Sequence, residues 1–351
     1  MTDPARPFEL VTVFGGSGFL GEYVVNALAK RNYRIRVAVR SPNTARTPQV
    51  FGMVGQVQAV AANLRSRDQV ARAVRGAGAV VNLVGILQPS GAQTFAAVQA
   101  EGAETVAEAA AAAGARLVHI SALGADLASG SAYARSKAEG EVAVKRARPD
   151  AVVLRPSLIF GPGDSFFNRF AALSRMLPVL PLAGADTRFQ PVYAGDVAEA
   201  VARAVDGAVP AGHTYELGGP ETRTLRELVD YMLETVERKR IVVSLPPRLA
   251  RMQATLLEAL DLVTLGLLPN DLKLTRDQVV LLQQDNVVSE AAVAEGRTLP
   301  GLGIAPTAME AIVPSYLVRF RQRGQFDRNA GVDSATPDDL KPRSTSPGPD
   351  F

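Results

Sequence analysis

Cysteine and tryptophan are absent from the 351 residues of this chain, and histidine occurs only twice, as His119 and His213. Without cysteine the chain cannot form disulfides, thiolate metal sites or a cysteine nucleophile. Two imidazoles are too few for a histidine-based metal site. We therefore expect neither a disulfide framework nor a bound metal.

Long hydrophobic runs and blocks of like charge are also missing. No uncharged apolar run reaches the length of about 18 residues that a membrane-spanning helix needs, and the first residues lack the apolar region of a signal peptide. The net charge is only +3, and no block of about five like charges suggests a nucleic-acid arm. The sequence predicts a protein on the cytoplasmic side that neither spans a membrane nor binds nucleic acid.

Residues 11–21 predict a strand, a tight turn and the start of a helix. Gly15, Gly18 and Gly21 form a G-x-x-G-x-x-G variant of the dinucleotide fingerprint. The first glycine permits the turn, the second lets a pyrophosphate approach the backbone, and the third lets the helix pack closely on the strand. Amide groups at the helix start would then face the phosphates. The alternative is a plain glycine turn.

The second predicted strand, from Arg34 to Val39, ends at Arg40. An acidic side chain at this point would bind the ribose 2′-hydroxyl of NAD. A guanidinium instead suits a 2′-phosphate, and Arg46 is close enough in sequence to assist. We therefore expect NADPH or NADP+ as the cofactor, the alternative being a solvated arginine at a strand end.

Strand and helix patterns continue to alternate after Arg40. The predicted strands are 57–61, 79–84 and 117–120, and the predicted helices are 66–75 and 99–113. Asn63, Gly85 and Ser121 follow the ends of these strands. Because ligands bind at the carboxyl ends of the strands in an open parallel sheet, we expect these residues near the cofactor. His119 lies within a strand and is predicted to be a packed core histidine.

Tyr133 and Lys137 form a Y-x-x-x-K pair after the fifth strand. Residues four apart share one face of a helix, so the Lys137 ammonium can lie near the Tyr133 hydroxyl. A nearby positive charge lowers the pKa of a phenol, which would let Tyr133 exchange a proton with a substrate. The pair alone is common by chance, but it is specific when it follows a fifth strand in a chain with this glycine motif.

With these motifs, and with the stretches 154–164 and 191–197, the chain resembles the extended short-chain dehydrogenase/reductase superfamily of NAD-dependent epimerases and dehydratases over about residues 8–322. The resemblance implies an α/β fold with a doubly wound parallel sheet of the Rossmann type. It implies that Tyr133 and Lys137 take the places of the catalytic pair, with Lys137 bonding the nicotinamide ribose. The predicted cofactor-binding residues are Gly15, Ser17, Gly18, Phe19, Leu20, Gly21, Arg40, Asn63, Leu64, Val84, Gly85, Ser121, Tyr133, Lys137, Pro156, Ser157 and Leu158.

Two positions depart from that family's pattern. Ala122 stands where a serine or threonine usually follows the serine of the fifth strand, and Gln99 is the nearest match to an asparagine of the preceding helix. Losing one donor that holds the reacting carbonyl can cost about 3 kcal/mol of transition-state stabilisation. We interpret the cofactor half of the site as complete and the substrate half as altered, so that Tyr133, Lys137 and Ser121 are vestigial or orient the cofactor.

The second half contains two amphipathic segments, residues 248–268 and 272–288, with Thr275 as a plausible N-cap. Either they pack on the chain's own core, or they form a docking surface for a partner or a membrane. Residues 329–351 have almost no large apolar side chains and predict a disordered or extended tail. The predicted organisation is a Rossmann domain over 1–163, whose core strands continue into the second half, a smaller docking subdomain over 164–328, and the tail.

Residues 275–278, 285–288 and 299–317 make the chain similar to one branch of the superfamily, the nucleotide-binding accessory subunits of respiratory complex I in their bacterial form. The resemblance implies a structural, non-catalytic NADPH and partner subunits in the peripheral arm, at the cytoplasmic side of the inner membrane. Two alternatives stay open. One is a free NADP(H)-dependent reductase, epimerase or dehydratase acting on a nucleotide sugar or another hydroxyl-bearing molecule, and the other is a regulator that senses the NADP+/NADPH ratio.

Overall fold

The computed structural model describes residues 9–42, 52–246, 248–255 and 275–321. The strands are β1 (Leu10–Phe14), β2 (Arg34–Val39), β3 (Val57–Ala61), β4 (Ala79–Asn82), β5 (Arg116–Ile120), β6 (Val152–Pro156), β7 (Ile159–Phe160), β8 (Val179–Ala183), β9 (Arg188–Phe189), β10 (Val192–Tyr193), β11 (Thr214–Leu217), β12 (Arg223–Thr224) and β13 (Ile241–Leu245). Seven of them form one parallel sheet in the order β11-β6-β5-β4-β1-β2-β3. The predicted doubly wound Rossmann sheet is therefore confirmed.

Helices cover both faces of this sheet. The helices of the described residues are α1 (Phe19–Lys30), α2 (Arg67–Val74), α3 (Glu101–Ala112), α4 (Ala132–Ala147), α5 (Phe166–Met176), α6 (Ala194–Asp206), α7 (Leu225–Thr235), α8 (helical over 248–255), α9 (Arg276–Leu281), α10 (Glu290–Ala294) and α11 (Met309–Leu317), of which α1 and α6 pack on one face of the sheet and α2, α3 and α4 on the other. Val81 of β4 packs in a core with α1 and α6, whereas its neighbour Val80 packs in a second core with α2, α3 and α4. Apolar side chains on both faces explain why these strands read as continuous hydrophobic runs.

Two predicted elements near the site have different bounds in the structure. The fourth strand ends at Asn82 rather than Val84, because the Asn82 side chain accepts a hydrogen bond from the Val84 amide (3.2 Å) and the chain turns there. The alanine-rich helix starts earlier than predicted, with a π-helical turn at Ala96–Ala100 before α3. It is followed by Gly114, whose φ of +65° suits glycine.

The C-terminal half adds a smaller core that packs beside the sheet. It is built by α5, the two-stranded sheet of β8 and β13, α7 and α11. Thr275 is the N-cap of α9, as predicted, and forms a capping box with Gln278. The predicted tail and residues 256–274 of the amphipathic stretch lie outside the described residues. Within the described ranges, no helix has the length and apolarity needed to cross a bilayer.

Candidate nucleotide-binding site

The glycine turn joins β1 to α1 with the geometry that its three glycines predict. Gly15 has a φ of +79°, and its carbonyl accepts a hydrogen bond from the Gly18 amide (3.1 Å). A Cβ atom at Gly21 would lie 2.3 Å from the Gly15 oxygen and 2.6 Å from Gly16 backbone atoms, so only glycine fits there. At Gly18 the nearest atom would be 3.4 Å away, which leaves open space at the helix start. The amides of this first turn have no side-chain cap and can bind an anion.

A cavity of about 640 Å³ lies at the carboxyl edge of the sheet. The predicted site residues that line it are Phe19, Leu20, Gly85, Ser121, Tyr133, Lys137, Pro156, Ser157 and Leu158. They come from α1, α4, the last residue of β6 and the chain that follows β4, β5 and β6. The structure therefore brings about half of the predicted site together around one space.

The other predicted residues lie outside this lining. Arg40 is exposed directly after β2. Val84 lies against the glycine turn, since a Cβ added at Gly15 would be 3.3 Å from the Val84 amide nitrogen. The side-chain oxygen of Asn63 accepts a hydrogen bond from the Arg65 amide (3.1 Å), and Leu64 is buried in the core with α3. Arg46 lies outside the described residues.

Lys137 is buried between the ends of β4 and β5. Its ammonium donates a hydrogen bond to the Ile120 carbonyl (3.2 Å), and a Cβ at Gly85 would approach Nζ to 3.1 Å. Burial lowers the pKa of Lys137 to about 8, against the opposing effect of the Glu141 carboxylate. Gly85 thus leaves room for this ammonium at the wall of the cavity.

Tyr133 differs from the sequence-based expectation in its ionisation. The expected lowering of its pKa is wrong, because burial raises the pKa of Tyr133 to about 12. Its ring packs edge to face against Phe95, with 6.0 Å between the ring centres. Removing the phenol from water disfavours the phenolate, so the helical spacing from Lys137 does not lower this pKa. Tyr133 is therefore a neutral phenol at physiological pH.

The end of β5 supplies one hydroxyl to the cavity and not two. Ser121 is buried, and its Oγ has no hydrogen-bond partner among the described residues. Ala122, the next residue in the lining, contributes a methyl group. A buried hydroxyl without a partner at a cavity wall indicates a position where a ligand can bind.

His119, on the same strand, is a core residue as predicted. It is only 2% exposed, and its Nδ1 lies 3.2 Å from the Asn82 side-chain nitrogen. Burial, and then the positive charge of Lys137, lower the pKa of His119 to about 3. The imidazole is therefore neutral at physiological pH.

Gln99 connects the loop after β4 to helix α4. Its Nε2 donates to the Ile86 carbonyl (2.6 Å), and its Oε1 accepts from the Ser136 hydroxyl (2.6 Å). A Cβ at Gly140 would lie 2.2 Å from the Gln99 carbonyl oxygen, so α4 packs closely here. Gln99 belongs to the π-helical turn, a distortion that is frequent at functional sites.

Two residues that hold segments of the site in place were not singled out from the sequence. The Asp277 carboxylate accepts hydrogen bonds from the Ser131 hydroxyl (2.8 Å) and the Ala132 amide (2.6 Å), which caps α4. Asn286 accepts from the Ser157 hydroxyl (2.7 Å) and donates to the Leu123 carbonyl (3.1 Å). Their only sequence signal is their place in the stretches 275–278 and 285–288.

The residues present fit a dinucleotide. Gly21 lets α1 pack closely on the glycine turn, Gly85 leaves room for the Lys137 ammonium at the cavity wall, and Ser121, which lines the same cavity, has an unpartnered hydroxyl. The uncapped start of α1 offers amides for phosphates. Together with the strand order, these features define a Rossmann-type protein with a nucleotide-binding fold.

The particular family follows from comparison with known proteins. Residues 11–218 match the NAD dependent epimerase/dehydratase family, and the chain belongs to it. A subunit of mitochondrial complex I, NADH dehydrogenase (ubiquinone) 1 alpha subcomplex subunit 9 of Arabidopsis thaliana, is 32% identical over 320 residues, which cover 90% of this chain and 79% of that protein. The chain is thus a homologue of complex I accessory subunits.

Two further proteins are similar to it. A ceramide reductase of Caulobacter vibrioides is 36% identical over 190 residues, which cover 54% of this chain and 58% of that protein. The structure of an NADPH-dependent quinone oxidoreductase from Escherichia coli, complexed with NADPH, superposes with a TM-score of 0.65 and 21% identity, covering 88% of this chain and 99% of that one. At this identity the second likeness concerns the fold.

Proposed function

We propose that this chain is a non-catalytic accessory subunit of respiratory complex I, NADH:quinone oxidoreductase, in which bound NADPH is a structural ligand of the peripheral arm. One observation carries the proposal. The likeness to the plant complex I subunit extends over 320 residues and so reaches beyond the nucleotide-binding half into the C-terminal segments. Those segments include Asp277 and Asn286, which bind the start of α4 and the chain after β5.

Arg40 supports the choice of NADPH over NADH. It is exposed at the carboxyl end of β2, where the adenosine ribose would lie if a dinucleotide followed the glycine turn. A guanidinium donates to phosphate oxygens in a planar, charge-assisted geometry, whereas it cannot accept a hydrogen bond from a 2′-hydroxyl. We infer that Arg40 binds the 2′-phosphate.

The substrate side of the cavity supports a structural role for the bound nucleotide over a catalytic one. A bound NADPH supplies hydride donation, but a substrate carbonyl also needs hydrogen-bond donors and a proton source. Ala122 offers no hydroxyl, and burial raises the pKa of Tyr133 to about 12, which opposes transfer of its proton. We infer that Tyr133, Lys137 and Ser121 orient the nucleotide.

Such a ligand would stabilise the fold where several elements meet. The nucleotide would contact the start of α1, the loop after β4 and the first turns of α4, which lie far apart in the sequence. A ligand that binds only the folded state adds about 2.7 kcal/mol of stability at a concentration 100 times its Kd. The nucleotide would thereby hold the surface that docks on the complex.

An apolar face of the C-terminal half is our candidate for that docking surface. Ile241 and Val243 of the edge strand β13 are 65% and 40% exposed, and Val179, the partner of Ile241 on β8, is 40% exposed. Arg238 and Arg240 precede this strand. Among the described residues β13 pairs only with β8, and adjacent exposed apolar side chains on the edge of such a sheet typically mark an interface. We infer that these three residues, the docking face, contact neighbouring subunits of the complex.

The proposal is tested by following the tagged full-length protein through gently solubilised membranes on native gels. We expect it to migrate with NADH:quinone oxidoreductase activity and to be recovered with subunits of that complex. A soluble protein tagged in the same way serves as the control. Recovery of the chain as a lone protein, absent from the active band, would overturn the proposal.

A free reductase is a second candidate, because Tyr133, Lys137 and Ser121 line one cavity and a ceramide reductase is 36% identical over 190 residues. Its test is NADPH oxidation with a panel of nucleotide sugars and aliphatic ketones, run beside the Tyr133→Phe variant. Turnover that Tyr133→Phe abolishes would favour the reductase. No turnover with any member of the panel would favour the accessory subunit.

A further inference from the structure

The cavity continues beyond the residues assigned to the nucleotide into the C-terminal half. Its wall there is formed by aliphatic and aromatic side chains of α5, β8 and α9. We name this part the apolar chamber and define it by Phe166, Phe170, Leu173, Leu177, Leu180 and Leu281. None of these belongs to the predicted cofactor set, so the chamber remains when the nucleotide is accounted for.

The charges around the chamber do not suit a nucleotide sugar. The charged residues in this part of the lining are Arg169 and Asp285. The Asp285 carboxylate already binds Arg188, accepting from its amide (2.9 Å) and its Nε (2.8 Å). Arg169 has an interaction partner of its own, so a diphosphate would bring two negative charges against a wall that is mostly leucine and phenylalanine, where unpaired charge is strongly disfavoured. An aliphatic chain would instead be stabilised by removing apolar surface from water.

Two polar atoms in the cavity wall lack partners. Of the five buried polar side-chain atoms without a hydrogen bond in the described part of the chain, two, Ser121 Oγ and Gln253 Oε1, belong to residues that line this cavity. Buried polar groups are normally satisfied by protein, water or ligand. Apolar walls with a few polar atoms are typical of sites for small amphiphilic molecules.

We propose that the apolar chamber binds one long aliphatic chain of an amphiphile, beside the nicotinamide end of the nucleotide. The volume of about 640 Å³ is within the range of small-molecule sites and is shared between the two ligands. The inference rests on the proposed function in one respect, because it assigns the end of the cavity at Ser121 and Lys137 to NADPH. The aliphatic chain can belong to a free fatty acid or to a membrane phospholipid, since both carry a long acyl chain.

The test uses the purified full-length protein and cis-parinaric acid, a fluorescent fatty acid, with and without NADPH. Leu177 and Leu281 line the chamber and are only partly buried, so tryptophan at either position fills space without entering a closed core. We expect Leu177→Trp and Leu281→Trp each to weaken parinaric acid binding at least tenfold, with NADPH affinity unchanged. Leu127→Trp, at a position that is 56% exposed and outside the lining, is the matched control.

The outcomes separate this inference from the proposed function. Parinaric acid binding that both chamber variants leave unchanged would overturn the inference, as would displacement of the probe by a nucleotide sugar. Probe binding that the variants abolish in a protein that binds no NADPH would support the chamber and contradict the proposed function.

A second experiment identifies the lipid that supplies the aliphatic chain. The protein is incubated with vesicles of phosphatidylethanolamine and phosphatidylglycerol, purified again and extracted for mass spectrometry. A phospholipid retained by the wild type and lost in Leu177→Trp supports a membrane source. Retention of added free fatty acid alone supports the other source, and retention of neither contradicts the inference.

Discussion

The Asp277 carboxylate accepts a hydrogen bond from the backbone amide of Tyr133, with 3.2 Å between Oδ2 and N, although the two residues are 144 positions apart. The same carboxylate accepts from Ser131 and Ala132. A residue of the C-terminal segment therefore caps the helix that carries Tyr133 and Lys137. The position of both side chains depends on a part of the chain that lies beyond the nucleotide-binding half.

Removal of this cap is expected to destabilise the protein. Asp277→Ala leaves the Ala132 and Tyr133 amides without their acceptor, while the N-cap Ser131 keeps its own bond to the Ala134 amide. A hydrogen bond to a charged group contributes about 1.5–3 kcal/mol. Urea unfolding should show this decrease in the free energy of unfolding. Asp186→Ala, at an exposed position, is the matched control, and equal stability of the two variants would contradict the role of Asp277.

Substitutions at two glycines of the turn are expected to have different effects, one on the stability of the fold and the other on nucleotide binding. A methyl group at Gly21 would overlap backbone atoms of Gly15 and Gly16, whereas at Gly18 it has room and an ordinary φ of −86°. Gly21→Ala should therefore lower the melting temperature strongly. Gly18→Ala should keep the wild-type circular dichroism spectrum and lose NADPH affinity at least tenfold, because the methyl group occupies the phosphate path.

Calorimetric titration with NADPH checks that second expectation, with the wild type in parallel. Tight NADPH binding by Gly18→Ala would contradict the position assigned to the pyrophosphate.

Substitution of Arg40 is expected to change the choice of nucleotide. Arg40→Ala would remove the charge-assisted hydrogen bonds that we propose Arg40 donates to the 2′-phosphate, which would be worth about 1.5–3 kcal/mol, or about 10- to 100-fold in affinity. NADH affinity should remain constant. Arg34→Ala removes an exposed arginine from the opposite end of the same strand and is the control. An equal loss of NADPH affinity in both variants would indicate a general effect of charge.

The buried imidazole of His119 is expected to make the stability of the fold depend on pH. The unfolded chain binds a proton on His119 below about pH 6.5, whereas the folded protein does so only near pH 3, because burial lowers this pKa to about 3. Stability contributed by the neutral imidazole is therefore lost as the pH falls from 6.5 towards 3, by at most about 1.4 kcal/mol per pH unit. Lys137, with a pKa of about 8, stays protonated in this window.

His119→Asn tests this dependence, since asparagine places an acceptor near the former Nδ1 position opposite Asn82. Urea unfolding between pH 4 and pH 6.5 should show a shallower slope for the variant. Parallel pH profiles for the two proteins would contradict the buried neutral state of His119.

A charge in the docking face is expected to release the protein from its complex. Ile241→Glu places a carboxylate among Val179 and Val243, and burying it at an interface without a partner is costly. Native gels of solubilised membranes should show the variant outside the active band, with NADPH still bound. Val142→Glu, at a position that is 52% exposed on α4, is the control. Co-migration of Ile241→Glu with the complex would exclude this face.

Local patterns in the sequence were sufficient to predict most of the nucleotide-binding half. The bounds of β2 and β3, the capping role of Thr275 and the burial of His119 follow from hydrophobic periodicity and cap chemistry, which depend on neighbours along the chain. The family assignment is likewise confirmed.

Interactions between distant residues were not predictable in this way. The caps and bridges made by Asp277 and Asn286 join segments more than a hundred residues apart. The pKa of Tyr133 was predicted in the wrong direction, because helical spacing places a charge nearby but does not reveal burial. The apolar chamber is formed by segments that meet only in the folded chain, so no local pattern indicates it.

The central claim is that NADPH is a retained structural ligand, and it is tested most directly by identifying the nucleotide in protein purified within its membrane complex. Mass spectrometry of the denatured sample should find about one NADPH or NADP+ per chain, retained after prolonged turnover of the complex with NADH and quinone. Protein from the intact complex that carries no nucleotide, or only NAD, would contradict the account.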